Sequence, residues 1–140
     1  MPDLLHPDPP IDGACHCGAI TFRITRCEPE TTVCNCTICR RYGALWAYDH
    51  DGEGIRVSGP TTAYTRADGG AIAFHFCQTC GCVSHWRGLR PDRDGRIRLA
   101  VNLRLSDPVA VAAFPILHFD GLDSFEDTPS RGRHARDYLD

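Results

Sequence analysis

The chain has 140 residues, of which 42% are hydrophobic, enough for one domain with its own core and too apolar for wholesale disorder. All 15 basic residues are arginine, which excludes every mechanism built on a lysine amine, Schiff bases and P-loops included. A net charge of −3 argues against a general nucleic-acid binder, whose affinity needs a basic footprint to displace counterions.

The amino-terminal segment, Met1 to Pro10, holds four prolines and two aspartates and no apolar run. It reads as an extension (residues 1–12), neither a secretory leader nor a membrane span, so a cytoplasmic protein with no membrane partner is expected. Strands are predicted at Ala19–Arg26, Leu45–Tyr48, Ile55–Ser58, Thr62–Thr65, Ala71–Phe76, Val83–Arg87 and Ile97–Val101, where β-branched and aromatic residues alternate between Gly and Pro punctuation. In the first of these Ile20, Phe22 and Ile24 should face inward while Thr21, Arg23 and Thr25 face water. Thr37–Tyr42 predicts a helix of one or two turns ending at Gly43. Asp107–Ala113 predicts a second, with Asp107 as N-cap, Pro108 in the first helical position and a stop before Pro115. A mainly β domain is expected over 13–125, followed by a polar, loosely attached tail over 126–140.

Eight of the nine cysteines fall in three clusters: Cys15-x-Cys17, Cys34-x-Cys36-x-x-Cys39, and Cys77-x-x-Cys80-Gly81-Cys82. Reducing compartments disfavour disulfides, and an odd count cannot close into internal pairs. Residues i and i+2 of an extended segment point the same way, so Cys15 and Cys17 present two sulfurs to one ion. A C-x-x-C followed by glycine turns the chain sharply, so Cys77 and Cys80 form a second half-site. Together they make a closed Cys₄ zinc site with no position for substrate, hence a structural one. The competing reading of Cys77 and Cys80, with Cys82, is a redox nucleophile set.

Cys34, Cys36 and Cys39 bring three ligands and no obvious fourth, and an open fourth position is what distinguishes a catalytic zinc. Three thiolates on Zn²⁺ sum to −1, a poor Lewis acid that still acidifies an incoming thiol by coordination. Such a site favours carbon–sulfur bond making over hydrolysis. The competing reading is a second structural site completed by Cys27, Cys82 or a histidine.

Gly13-Ala14-Cys15-His16-Cys17-Gly18-Ala19-Ile20, Cys34-Asn35-Cys36-Thr37-Ile38-Cys39-Arg40 and Phe76-Cys77-Gln78-Thr79-Cys80-Gly81 together resemble the glutathione-dependent formaldehyde-activating enzyme family, which includes centromere protein V. The resemblance spans roughly Gly13 to Pro108. It implies a mainly β, zinc-stapled fold of small sheets and short helices, shared with methionine sulfoxide reductase B and a Rab-GTPase accessory protein. It places the closed zinc on Cys15, Cys17, Cys77 and Cys80, and the substrate-side zinc on Cys34, Cys36 and Cys39. The implied partners are glutathione, or another small thiol, and formaldehyde or a related aldehyde. The implied product is S-hydroxymethylglutathione, made by what is in reverse a carbon–sulfur lyase. A non-catalytic zinc module that binds a protein is the alternative.

Arg40, and less so Arg41, are candidates to bind a substrate carboxylate, and Asn35 to steer a thiolate or form a turn. His16, His75 and His85 flank the clusters as possible ligands or proton shuttles, each read first as a strand residue with a satisfied hydrogen bond. Trp46, Tyr48, Phe74, Phe76 and Trp86 read first as core aromatics, Trp46 and Tyr48 being the two that can wall the open zinc instead. The run His118 to Gly121 is a candidate for a substrate rim but is not assigned to the site. Pairing of two copies through an exposed strand is left open.

Overall fold

The computed structural model describes residues Asp3–Leu139 as two β-sheets with short helical turns. The smaller sheet has three antiparallel strands in the order β1 (Ile11–Ala14), β2 (Thr21–Ile24), β5 (Ile55–Ser58). The larger has eight. From one edge these are β11 (Asp127–His134), β10 (Pro115–Phe119), β3 (Thr31–Cys34), β4 (Trp46–His50), β9 (Arg98–Asn102), β8 (Val83–Gly88), β7 (Ile72–Phe76) and β6 (Thr62–Thr65). Only β10 and β3 run parallel; all other neighbours are antiparallel. Among the described residues no helix is long and apolar enough to cross a membrane.

Strand parity sorts the side chains of the large sheet onto two faces. Ala47 pairs with Val101 and Asp49 with Leu99, and from that face Ala47, Leu99 and Val101 pack with Ile11, Phe22, Ile24 and Ile55 of the small sheet to form the main core. On the opposite face Trp46, Phe74, Trp86 and Ala100 form a second cluster together with Cys36 and Cys39. Register carries this second face across five strands: Thr32 lies opposite Trp46, Tyr48 opposite Ala100, Ala100 opposite Trp86, and Trp86 opposite Phe74. One face of the sheet is thus core, and the other is an aromatic floor beneath the tri-cysteine segment.

The half-buried pattern expected at Ile20, Phe22 and Ile24 is observed, all three lying within the core. Both short helices form, each as a single turn. α1 (Cys39–Tyr42) closes at Gly43, whose left-handed φ of 64° suits glycine. α2 (Pro108–Val111) is capped by the Asp107 side chain, which accepts from the Val109 N–H at 2.9 Å.

Four strands, β1, β3, β10 and β11, are absent from those predicted by sequence, each for a visible reason. In β1, Gly13 has no side chain to count because the Phe22 ring occupies its space: a Cβ there would sit 2.1 Å from Phe22 Cζ. β3 is a Thr-Thr-Val-Cys run with polar residues buried on both faces, Thr31 donating to the Trp46 carbonyl at 3.1 Å. β10 opens on Pro115. β11 is polar, with a proline and a glycine inside it, a composition that edge strands tolerate.

The expected loose tail is therefore corrected. β11 pairs with β10, Ala135 is fully buried, and Tyr138 and Leu139 pack on the main core, so polarity there marks a sheet edge. The expected boundary at residue 12 falls inside β1. Ahead of it, Leu5 exchanges backbone hydrogen bonds with Cys27 at 2.8 and 3.0 Å and packs on the core.

A buried carboxylate ties the two sheets. Asp49 on β4, its side chain only 4% exposed, takes both arms of the Arg26 fork at 3.0 Å and the Gly54 N–H at 2.9 Å. The Asp12–Arg23 pair has similar geometry but lies in water, its side chains 58% and 62% exposed. Asp49→Ala leaves the Gly54 N–H unpaired and Arg26 with Glu53 alone, at 3.0 Å, and should cost about 2 kcal/mol in chemical denaturation. Asp12→Ala should leave the midpoint essentially unmoved.

Candidate metal centres

Cys15 and Cys17 follow β1, and Cys77 and Cys80 follow β7, so the first cluster joins the small sheet to the large one. Their four sulfurs lie within 4.8 Å of one another, with Cys15 to Cys17 at 3.7 Å and Cys17 to Cys77 at 3.5 Å. Tetrahedral coordination at the usual zinc–sulfur length gives an edge of about 3.8 Å, so the residues fit a tetrahedral thiolate ion.

The local chain explains the convergence. Gly81, at φ 80°, lets its N–H return to the Cys77 carbonyl at 2.8 Å. The N–H groups of Thr79 and Cys80 then point at Cys77 Sγ, at 3.4 and 3.5 Å, and the Ile20 N–H reaches Cys15 Sγ at 3.3 Å. N–H groups aimed at sulfur favour thiolate. Those of Cys82 and Cys17 draw the Cys80 thiol down to about 5.

The second cluster has the three sulfurs of Cys34, Cys36 and Cys39 within 4.8 Å of one another. Cys34 ends β3 and Cys39 opens α1, with Cys36 at the turn between. The Cys36 N–H faces Cys34 Sγ at 3.5 Å and the Cys39 N–H faces Cys36 Sγ at 3.3 Å. The Cys39 thiol donates to Cys34 and, with the N–H groups of Cys36 and Gly121, brings the Cys34 thiol down to about 6. Cys39 is correspondingly held protonated. Both clusters can hold a metal ion.

Among the described residues no fourth Cys, His, Asp or Glu joins the tri-cysteine group. The expected alternative completions are thereby corrected. Cys27 lies in the main core, burial pushing its thiol up to about 12, and Cys82 packs beside Cys15 and Cys77. His16 is exposed. His75 and His85 stack on each other at 4.5 Å and hold hydrogen bonds to Thr61 and Ser84 at 2.7 and 2.8 Å. Burial, reinforced by the charge of His75, takes His85 down to about 3, so it is neutral at physiological pH.

The tri-cysteine group opens onto a cavity of about 680 Å³. Its floor is the aromatic face of the sheet, Trp46, Tyr48, Phe74 and Trp86, so Trp46 and Tyr48, read first as core, line the cavity as well. Two buried polar atoms in the same wall have no hydrogen-bond partner, Thr32 Oγ1 and Trp46 Nε1. Orphan polar atoms beside a cavity mark places where a ligand or water supplies the missing bond. Burial holds Tyr48 well above the usual phenol range, which keeps its hydroxyl a donor.

Arg40 is exposed and is not part of the cavity wall, because it follows a cysteine that faces inward on a one-turn helix. Arg41 is occupied by the Thr37 carbonyl at 2.7 Å. The cavity's arginines are Arg66 and Arg98, which sequence reasoning missed since neither neighbours a cysteine. Asn35 also lies outside the wall but positions it. Its amide donates to Asp120 at 3.0 Å and accepts from the Leu122 N–H at 3.2 Å. This seats Gly121 against the cluster, where a Cβ would stand 2.9 Å from Cys34 Sγ. Phe119 and Gly121, from the run that is a candidate substrate rim in the sequence but not assigned to the site, thus belong to the cavity.

Metal analysis of protein produced with zinc should give about two ions per chain, falling to about one in Cys36→Ser with the fold kept. Gly121→Ala should selectively weaken the second ion, because its methyl group meets Cys34 Sγ and Cys36 Cβ at 2.9 and 3.1 Å.

A family model described as glutathione-dependent formaldehyde-activating enzyme matches residues 10–104, a span that includes both clusters and stops before β10. The crystal structure of a Rhodobacter sphaeroides protein is 26% identical and superposes with a TM-score of 0.54, the match covering 75% of this chain and 98% of that one. No curated relative matches. With both clusters inside a match spanning more than half its length, the chain belongs to the glutathione-dependent formaldehyde-activating enzyme family.

Proposed function

We propose that the protein joins a small thiol to an aldehyde at the tri-cysteine site. In the preferred case glutathione and formaldehyde give S-hydroxymethylglutathione, and the reverse direction is a carbon–sulfur lyase reaction. The observation that carries this reading is a three-sulfur cluster without a fourth protein ligand, facing a cavity of about 680 Å³. That volume is in the range of small-molecule sites and admits a tripeptide. Family membership supports the substrate pair.

A zinc ion held by Cys34, Cys36 and Cys39 would supply the site where an incoming thiol loses its proton and is kept as a nucleophilic thiolate. Cys15, Cys17, Cys77 and Cys80 would hold a second zinc in a structural role. The addition is redox-neutral. Sulfur attacks the carbonyl carbon, a carbon–sulfur bond forms as the carbon–oxygen π bond breaks, and the oxygen takes up the proton the thiol released.

The chain's own residues serve the oxygen and the surroundings. The Thr32 hydroxyl and the Tyr48 phenol, side by side on the floor, donate to the developing alkoxide. The Trp46 N–H, unpartnered in the same wall, is free to donate to the bound substrate. Phe74, Trp86 and Phe119 keep bulk water from the reacting carbon. Asn35 acts through the loop it holds.

Exchange NMR with ¹³C-formaldehyde and glutathione measures interconversion of free and adduct carbon directly. The protein should raise the exchange rate in proportion to its concentration, Cys36→Ser should return it to the uncatalysed value, and Tyr48→Phe should lower it by about 10²-fold or less. Exchange no faster than in protein-free buffer would overturn the enzymatic reading and favour a protein-binding zinc module.

A further inference from the structure

Arg98 stands on the cavity face of β9 with its guanidinium over the rings of Tyr48 and Trp86, at 5.7 and 5.4 Å from their centroids. Two aromatic faces fix the position of the charge without consuming its hydrogen-bond donors. Among the described residues no carboxylate lies within ion-pair distance of it, although Arg98 is exposed in a chain with 18 acidic residues. Glu28 on the same cavity wall senses the charge without reaching it. Arg66, the other arginine of the wall, differs: its fork is filled by Asp68 at 3.0 and 2.8 Å. The cavity therefore contains one oriented guanidinium whose donors are free.

Register sets its distance from the reacting sulfur. Trp46, packed with Cys36 and Cys39, lies opposite Asn102, whereas Arg98 lies opposite His50, four residues further along the strand. At about 3.3 Å per residue that is roughly 13 Å, and the side chain leans back over Tyr48, only two residues or about 7 Å from Trp46. A carboxylate bound to Arg98 therefore lies on the order of 7 to 13 Å from a sulfur at the cluster. Free cysteine, whose carboxylate is about 4 Å from its sulfur, is too short. A thiol whose carboxylate lies a further peptide unit beyond the sulfur-bearing residue spans the gap.

We infer that Arg98 selects the thiol, binding the carboxylate of a peptide-length thiol acid while its sulfur occupies the tri-cysteine site. This deepens the proposed function and rests on it. Arg98 takes the role that adjacency in sequence suggested for Arg40. A guanidinium stacked on two aromatics also discriminates against neutral thiols of similar size, because they leave its donors unpaired.

The test is a thiol titration of the cobalt-substituted protein, followed by the sulfur-to-cobalt absorption, with glutathione, its glycine ethyl ester and 2-mercaptoethanol. The native protein should bind glutathione about tenfold more tightly than the ester, the difference expected for one charge-assisted pair. Arg98→Met should bind glutathione and ester equally, with 2-mercaptoethanol affinity within about twofold of native. Arg98→Lys should restore part of the preference, and Arg66→Met should retain it. A native protein that does not distinguish glutathione from its ester, or a preference that survives Arg98→Met, overturns the role of Arg98 while leaving the thiol site standing. Absence of any absorption change with all three thiols removes the thiol site itself.

Discussion

The arrangement depends first on four sulfurs brought to one point from positions some sixty residues apart. Cys15 and Cys17 leave the small sheet, Cys77 and Cys80 leave the large one, and their sulfurs meet, Cys17 lying 3.7 Å from Cys15 and 3.5 Å from Cys77. Four thiolates at that separation repel strongly in the absence of a cation, so the geometry is one that an ion completes. With the sheet ends held there, the remaining contact between sheets is ordinary apolar packing: Ile11, Phe22, Ile24 and Ile55 against Ala47, Leu99 and Val101. The first cluster thereby fixes the frame on which the second is displayed.

The two clusters use the same ligand chemistry and differ in enclosure. At the first, backbone N–H groups and a fourth sulfur surround the centre. At the second there are three sulfurs, and the remaining direction leads to an aromatic chamber. The same strand parity that gives one face of the sheet to the core gives the other to this chamber. Aromatic packing, ligand placement and the polar atoms of Thr32 and Tyr48 are consequences of a single register. Phe119 and Gly121 come from beyond the residues matched to the family, so the part of this chain after residue 104 also shapes the site.

Much of this was legible in the sequence where information is local. Cys-x-Cys and Cys-x-x-Cys-Gly encode the direction of the side chains within a few residues, and Ile20, Phe22 and Ile24 declare a face by alternation. What stayed hidden depends on partners distant in the chain. Arg98 meets the site through pairing across β4 and β9, and Gly121 does so because Asn35, more than eighty positions earlier, holds its loop. β11 was hidden for another reason: an edge strand faces water and needs no apolar signature. Arg40 shows the converse error, since the residue after an inward-facing ligand on a one-turn helix is carried outward.

The central claim is that the tri-cysteine centre keeps a position for an external sulfur. Zinc X-ray absorption of the two-zinc protein addresses it directly, because sulfur and lighter ligands scatter differently. The account requires an average of about 3.5 sulfurs per zinc with a lighter atom completing the shell, rising to about four when glutathione is added. Four sulfurs per zinc before any thiol is present, or a shell indifferent to glutathione, would contradict it.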